Sequence, residues 1–116
     1  MAVTIFHNPR CSKSRQALAL LEARGIHPTI VEYLKAPPDR DTIAGVLRKL
    51  GMPARALLRL KEPEYAALGL GNPDVSDDAL LDAMAAHPRL IERPIVVVGR
   101  RARIGRPPEA VLELLP

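Results

Sequence analysis

The chain has 116 residues, a formal net charge of +4 at pH 7 and a single cysteine. That length fits one domain with a continuous core, and the lone thiol excludes an internal disulfide, so any thiol cycle must be completed by another molecule. Aromatic residues make up 3% of the sequence, too few to stack on bases, and no lysine–arginine block or long apolar span appears, which argues against nucleic acid and membrane partners and leaves an anionic small molecule as the expected one.

Met1-Ala2-Val3-Thr4 leads straight into an apolar run with no signal-like stretch, so the expected location is the cytoplasm. Val3 to Phe6, β-branched and aromatic, reads as a first strand. Ser12 to Arg24 repeats its apolar residues at helical spacing and stops at Gly25. Thr29 to Tyr33 reads as a second strand, which makes an opening βαβ unit with parallel strands. After the Ala36-Pro37-Pro38 break, Asp39 caps a helix with an apolar face of Ile43, Val46, Leu47 and Leu50, ended by Gly51.

From Pro53 to Pro88 the pattern is helical but interrupted. Pro53 opens a short helix with an apolar stripe of Ala56, Leu57 and Leu60, Pro63 and the Gly69–Pro73 stretch force turns, and Ser76 caps a further helix through Ala86. Pro94 to Val98 is a buried-strand run, and Gly99-Arg100 turns it back into Arg101 to Ile104 as an antiparallel hairpin. Pro107 opens a last helix with Val111, Leu112 and Leu115 toward the core. This order predicts a single α/β domain over residues 1–116, a thioredoxin-like mixed sheet (βαβ, helical insertion, ββα) covered by helices, with the insertion at about 37–88.

Chemistry concentrates in His7-Asn8-Pro9-Arg10-Cys11-Ser12-Lys13-Ser14-Arg15, which sets Cys11 where a strand ends and a helix begins. Unpaired N–H groups and the positive end of the helix dipole favour an anion there, and Arg10, Lys13 and Arg15 add positive charge. Such surroundings bring a thiol from its usual value near ~8.5 to roughly 3.5–7.5, where it is a nucleophile at neutral pH, whereas most free cysteines are small buried hydrophobes. Three arginines stand where the backbone is restrained: Arg59 closes the Arg55-Ala56-Leu57-Leu58-Arg59 helix, Arg93 precedes Pro94 and Arg106 precedes Pro107. Converging on a thiolate, their planar forks would bind a tetrahedral oxyanion; taken singly, each also reads as an ordinary solvated arginine. Ser12 and Ser14 suit either the helix start or a bound anion. No His/Cys/Asp spacing matches a metal site, so no metal is expected.

The His7–Arg15 string, with Arg55–Arg59, Arg93-Pro94-Ile95-Val96 and Arg106-Pro107-Pro108-Glu109 in the same order, resembles the glutaredoxin-coupled arsenate reductase family of the ArsC type from Val3 to Leu115. The resemblance implies a thioredoxin-like fold with a cis Arg93–Pro94 peptide, Cys11 as nucleophile with His7 tuning its thiolate, and Arg59, Arg93 and Arg106 as oxyanion ligands; Ser14, on its residue type, is a further candidate for binding the anion. It further implies a thiol–arsenate adduct on Cys11, with no bound cofactor and with glutathione and glutaredoxin as reducing co-substrates. The wider superfamily holds Spx regulators that contact RNA polymerase and commonly use Cys-x-x-Cys, whose fourth position is Ser14 in this chain. A polymerase-binding regulator and a glutathione-dependent thiol reductase of unknown substrate are the alternatives.

Overall fold

The computed structural model describes residues 2–116, and these fall into two compact units. One comprises residues 2–36 together with Arg93–Pro116; the other is the intervening segment Pro37–Glu92.

The first unit is built on a four-stranded mixed sheet. Strands β1 (Val3–Phe6), β2 (Thr29–Val31), β3 (Ile95–Val98) and β4 (Arg101–Ile104) lie in the order β2-β1-β3-β4. β1 runs parallel to β2, with Ile5 opposite Ile30, and antiparallel to β3, with Ile5 opposite Val96. β3 and β4 form the expected hairpin, turned by Gly99 at φ +59°, a left-handed conformation open to glycine at little cost. Alternation along β1 sends Val3 and Ile5 to the core face. There they meet Ala17 and Leu21 of helix α1 (Ser12–Ala23), Val96, and Val111 and Leu114 near the C-terminus.

Two expectations for this unit are corrected. The second strand ends at Val31 instead of Tyr33, because a turn in which the Lys35 N–H reaches the Glu32 carbonyl takes the chain out of the sheet. The C-terminal segment is a 3₁₀ helix over Pro108–Leu114; Val111 is in the core as expected and Leu115 packs against it, but Leu114 takes the core position in place of Leu112. With three residues per turn, the buried positions become Pro108, Val111 and Leu114.

In the second unit, helix α2 (Arg40–Leu50) is capped by Asp39, whose carboxylate accepts the Thr42 N–H at 2.8 Å, and ends at Gly51 with φ +70°. Helix α3 (Pro63–Ala67) is short, so Pro63 begins a helical turn where the sequence predicted a break. Helix α4 (Asp77–Ala86) is capped by the Ser76 hydroxyl. Arg40 ties α2 to α4 through Asp78 at 2.6 Å and Asp82 at 3.0 Å. The expected Arg55–Arg59 helix is a 3₁₀ turn over Ala54–Leu57, after which Leu58 is extended and bridges Ile91. Leu60 is accordingly 62% exposed and lies outside the apolar stripe predicted for it.

Among the glycines, Gly105 is the one most closely approached by its neighbours. Its N–H reaches the Pro94 carbonyl at 2.8 Å, and a Cβ there would stand 2.7 Å from Pro94 Cγ and 3.3 Å from Val111 Cγ1. Gly105→Ala is therefore expected to cost about 1–3 kcal/mol through overpacking, read as a lower urea midpoint. An unchanged midpoint would show that the contact relaxes freely.

Candidate active site

The polypeptide leaves β1 with the His7 N–H bonded to the Val31 carbonyl at 2.8 Å and turns at once into α1. Asn8 organises that turn: its side-chain oxygen accepts the Arg10 N–H at 3.0 Å, its carbonyl accepts the Cys11 N–H at 3.0 Å, and its own N–H donates to Ser14 Oγ at 3.0 Å. The Arg15 guanidinium closes the other side, donating to the Pro9 carbonyl at 2.9 Å. Cys11 sits at the N-cap of α1 with extended backbone angles, and its carbonyl accepts the first helical hydrogen bond, from Arg15 N–H. Its side chain makes no capping bond and there is no acidic residue in the first turn of the helix. The sulfur, half-buried, is thus the group standing at the positive end of α1.

Arg106 faces it. Its Nη2 lies 4.0 Å from Cys11 Sγ while its Nε donates to the Arg93 carbonyl at 2.8 Å. One end of the fork is anchored on backbone and the other turned toward the thiol. The Arg93–Pro94 bond is cis, as the family resemblance implied, and Arg106–Pro107 is cis as well.

Ser14 occupies a different environment from a surface cap. It shares the inward stripe of α1 with Ala17 and Leu21 and is fully buried. Its Oγ already accepts from Asn8, and among the described residues the only other group it meets is His7 Nδ1, at 2.6 Å. The hydroxyl therefore donates to Nδ1, which puts the proton of the neutral ring on Nε2. Burial pushes the His7 pKa below its usual value; Glu32 opposes the shift and Arg15 adds to it. At neutral pH the ring is uncharged.

Of the residues expected at the site, Cys11, His7, Ser14, Arg93 and Arg106 lie in the first unit. Arg59 lies in the second, where it pairs with Glu62 at 3.1 Å and approaches Glu92 at 4.0 Å. Sequence reading passed over Asn8, Arg15 as a clamp on Pro9, and Glu62. An Asn-Pro pair after a strand signals a turn, and an Arg-x-x-Glu spacing signals a pair, so both carried a weak local mark. Among the described residues no group of three or more His, Cys, Asp or Glu side chains could hold a metal ion, and no helix is long and apolar enough to cross a membrane.

This arrangement defines a class: a thioredoxin-like protein with a single thiol at the N-terminus of its first helix and an anchored guanidinium beside it. Comparison with known proteins narrows it. The ArsC family profile matches residues 6–114. The arsenate reductase of Neisseria meningitidis serogroup A is 51% identical over 114 residues, covering 97% of each chain, and that of Haemophilus influenzae is 48% identical over 116 residues, covering 99% of this chain and 100% of the relative. The structure of the Vibrio cholerae arsenate reductase superposes with a TM-score of 0.97 at 53% identity, covering 99% of this chain and 98% of that one. The chain belongs to the ArsC family.

The neutral, buried His7 has a consequence for stability. Well above pH 6.5, the ordinary value, the ring is uncharged whether the chain is folded or not. As pH falls through that value the unfolded chain takes up a proton that the folded chain refuses, so stability declines until the lowered folded pKa is passed. Urea unfolding at pH 7.5 and pH 5.5 should show a smaller acid loss for His7→Gln than for the parent protein; equal losses would contradict the assignment.

Proposed function

We propose that this protein is an enzyme that reduces arsenate to arsenite through a thiol–arsenate adduct on Cys11. The observation that carries the reading is the Arg106 Nη2 at 4.0 Å from Cys11 Sγ, at the N-terminus of α1. The helix N-terminus and the guanidinium both attract the oxyanion that the sulfur attacks. Relatives called arsenate reductases, about half identical over almost the whole chain, supply the substrate class.

In the proposed cycle, arsenate binds with its oxygens on Arg106 and Arg93, and Arg59 serves as a further ligand on the strength of the Arg55–Arg59 motif. The Cys11 thiolate forms a sulfur–arsenic bond and one arsenate oxygen leaves as water, its protons drawn from solvent. A glutathione thiol then replaces a second arsenate oxygen, which leaves as water, and a glutaredoxin thiolate attacks the glutathione sulfur: the glutathione–arsenic bond breaks, its electron pair stays on arsenic, and water cleaves the remaining Cys11–arsenic bond, releasing arsenite and the Cys11 thiol. Across the cycle two thiols each give up a proton, arsenic gains one electron pair, and the thiols end joined as a disulfide. The chain's single cysteine fits this dependence, since the second thiol must come from outside. The reducing cytoplasm is where such a cycle would run.

His7 and Ser14 enter differently from the roles expected of them. With Ser14 Oγ buried against His7 and the Asn8 N–H, we assign both residues to positioning: they hold the turn that presents Cys11, with His7 neutral instead of cationic and Ser14 acting through the loop backbone.

The test is arsenite release by the purified protein with arsenate, glutathione, glutaredoxin and NADPH-linked recycling. Turnover is expected, and Cys11→Ser should abolish it; absence of turnover in the parent protein would refute the reading. Arg106→Ala and Arg93→Ala should each raise the KM for arsenate, since a hydrogen bond to a charged group is worth roughly 1.5–3 kcal/mol, or about tenfold to a hundredfold. Unchanged KM in both would remove the proposed cradle.

A further inference from the structure

Arg59 is braced in a way the family motifs do not describe. Its backbone is fixed on both sides, with Arg59 N–H on the Leu90 carbonyl at 2.8 Å and Glu92 N–H on the Leu57 carbonyl at 2.9 Å. Its side chain is met by Glu62, whose Oε1 lies 3.1 Å from Arg59 Nη1 while Oε2 lies 3.0 Å from Arg89 Nη2. Glu62 is itself rooted at the N-cap of α3, ahead of Pro63. We propose that Glu62 is a positioning residue for Arg59, holding its guanidinium in the orientation that receives the oxyanion; this rests on the arsenate-binding role given to Arg59 above.

Three observations separate this contact from an ordinary surface pair. The Glu62 and Arg59 side chains are only 15% and 21% exposed, so solvent and salt screen them less than a solvated pair. Both Glu62 oxygens are engaged, so the carboxylate is held at two points and cannot swing with the arginine. And Arg59 spends Nη1 on Glu62 at 3.1 Å while its Nε lies 4.0 Å from Glu92. A long side chain that would lose rotamer freedom on binding an anion is thereby ordered beforehand, with donor capacity remaining.

The opposite role, a carboxylate that the oxyanion must displace from Arg59, predicts the opposite sign, which makes the experiment decisive. Arsenate binding to the reduced full-length protein is measured by calorimetry, beside steady-state kinetics, for the parent, Glu62→Ala, Glu62→Gln, Arg59→Ala and the Arg59→Ala/Glu62→Ala double variant. Glu62→Ala should weaken arsenate binding about tenfold and raise KM in step, leaving kcat within about twofold. Glu62→Gln keeps an acceptor oxygen and should fall between, and it carries the test should the alanine variant fold poorly. In the Arg59→Ala background, loss of Glu62 should add nothing, since the two act as one unit. Unchanged or tighter binding in the Glu62 variants, or the same weakening without Arg59, would overturn the proposal. A parent protein that binds arsenate but does not turn over sinks the reductase reading alone. One that turns over while the Glu62 variants bind normally sinks only the brace, and one that binds no arsenate sinks both.

Discussion

The hydrogen-bonded turn between β1 and α1 is the constraint on which the rest depends. Three polar atoms of Asn8, the buried hydroxyl of Ser14 and the Arg15 guanidinium fix the backbone from His7 to Cys11, and with it the point from which the sulfur projects. Each bond is ordinary, worth about 1 kcal/mol net. Their joint effect is geometric: they decide that an unpaired thiol, and no capping carboxylate or hydroxyl, meets the open N–H groups of the helix.

Nonlocal pairing supplies the second half of the site. Arg106 follows β4, 95 residues from Cys11, and reaches it because β3 pairs with β1 on one side and β4 on the other. The Arg93 carbonyl then receives Arg106 Nε, and Gly105 allows the chain to pass close over Pro94. Opposite unit charges 4 Å apart attract by about 1 kcal/mol in water and about 4 kcal/mol near a protein surface. Arg106 is exposed, so the lower part of that span applies. The helix terminus and the guanidinium are therefore needed together, and neither alone makes this position distinctive.

Much of this was legible in the sequence for identifiable reasons. β-branched runs, the caps at Asp39 and Ser76 and the stops at Gly25 and Gly51 are local signals, and the elements they mark are present. The mixed sheet followed from element order. What escaped was whatever depends on helix type or on side-chain direction. The sequence of Pro108–Leu114 marks a helix but not its type, and with three residues per turn Leu114 joins Val111 in the core while Leu115 packs against it. By residue type alone Ser14 suits a helix start or a bound anion. Its spacing with Ala17 and Leu21 already placed it on the buried stripe. The Arg106–Cys11 contact had no local trace at all; the family motifs carried it.

The central claim is that the Cys11 sulfur and the Arg106 guanidinium share one oxyanion site. The most direct measurement is the rate at which a neutral alkylating reagent modifies Cys11 at neutral pH, with and without arsenate, in the parent protein and in Arg106→Ala. Arsenate should slow alkylation strongly in the parent and weakly in the variant. Equal rates with and without arsenate in the parent protein would contradict the account.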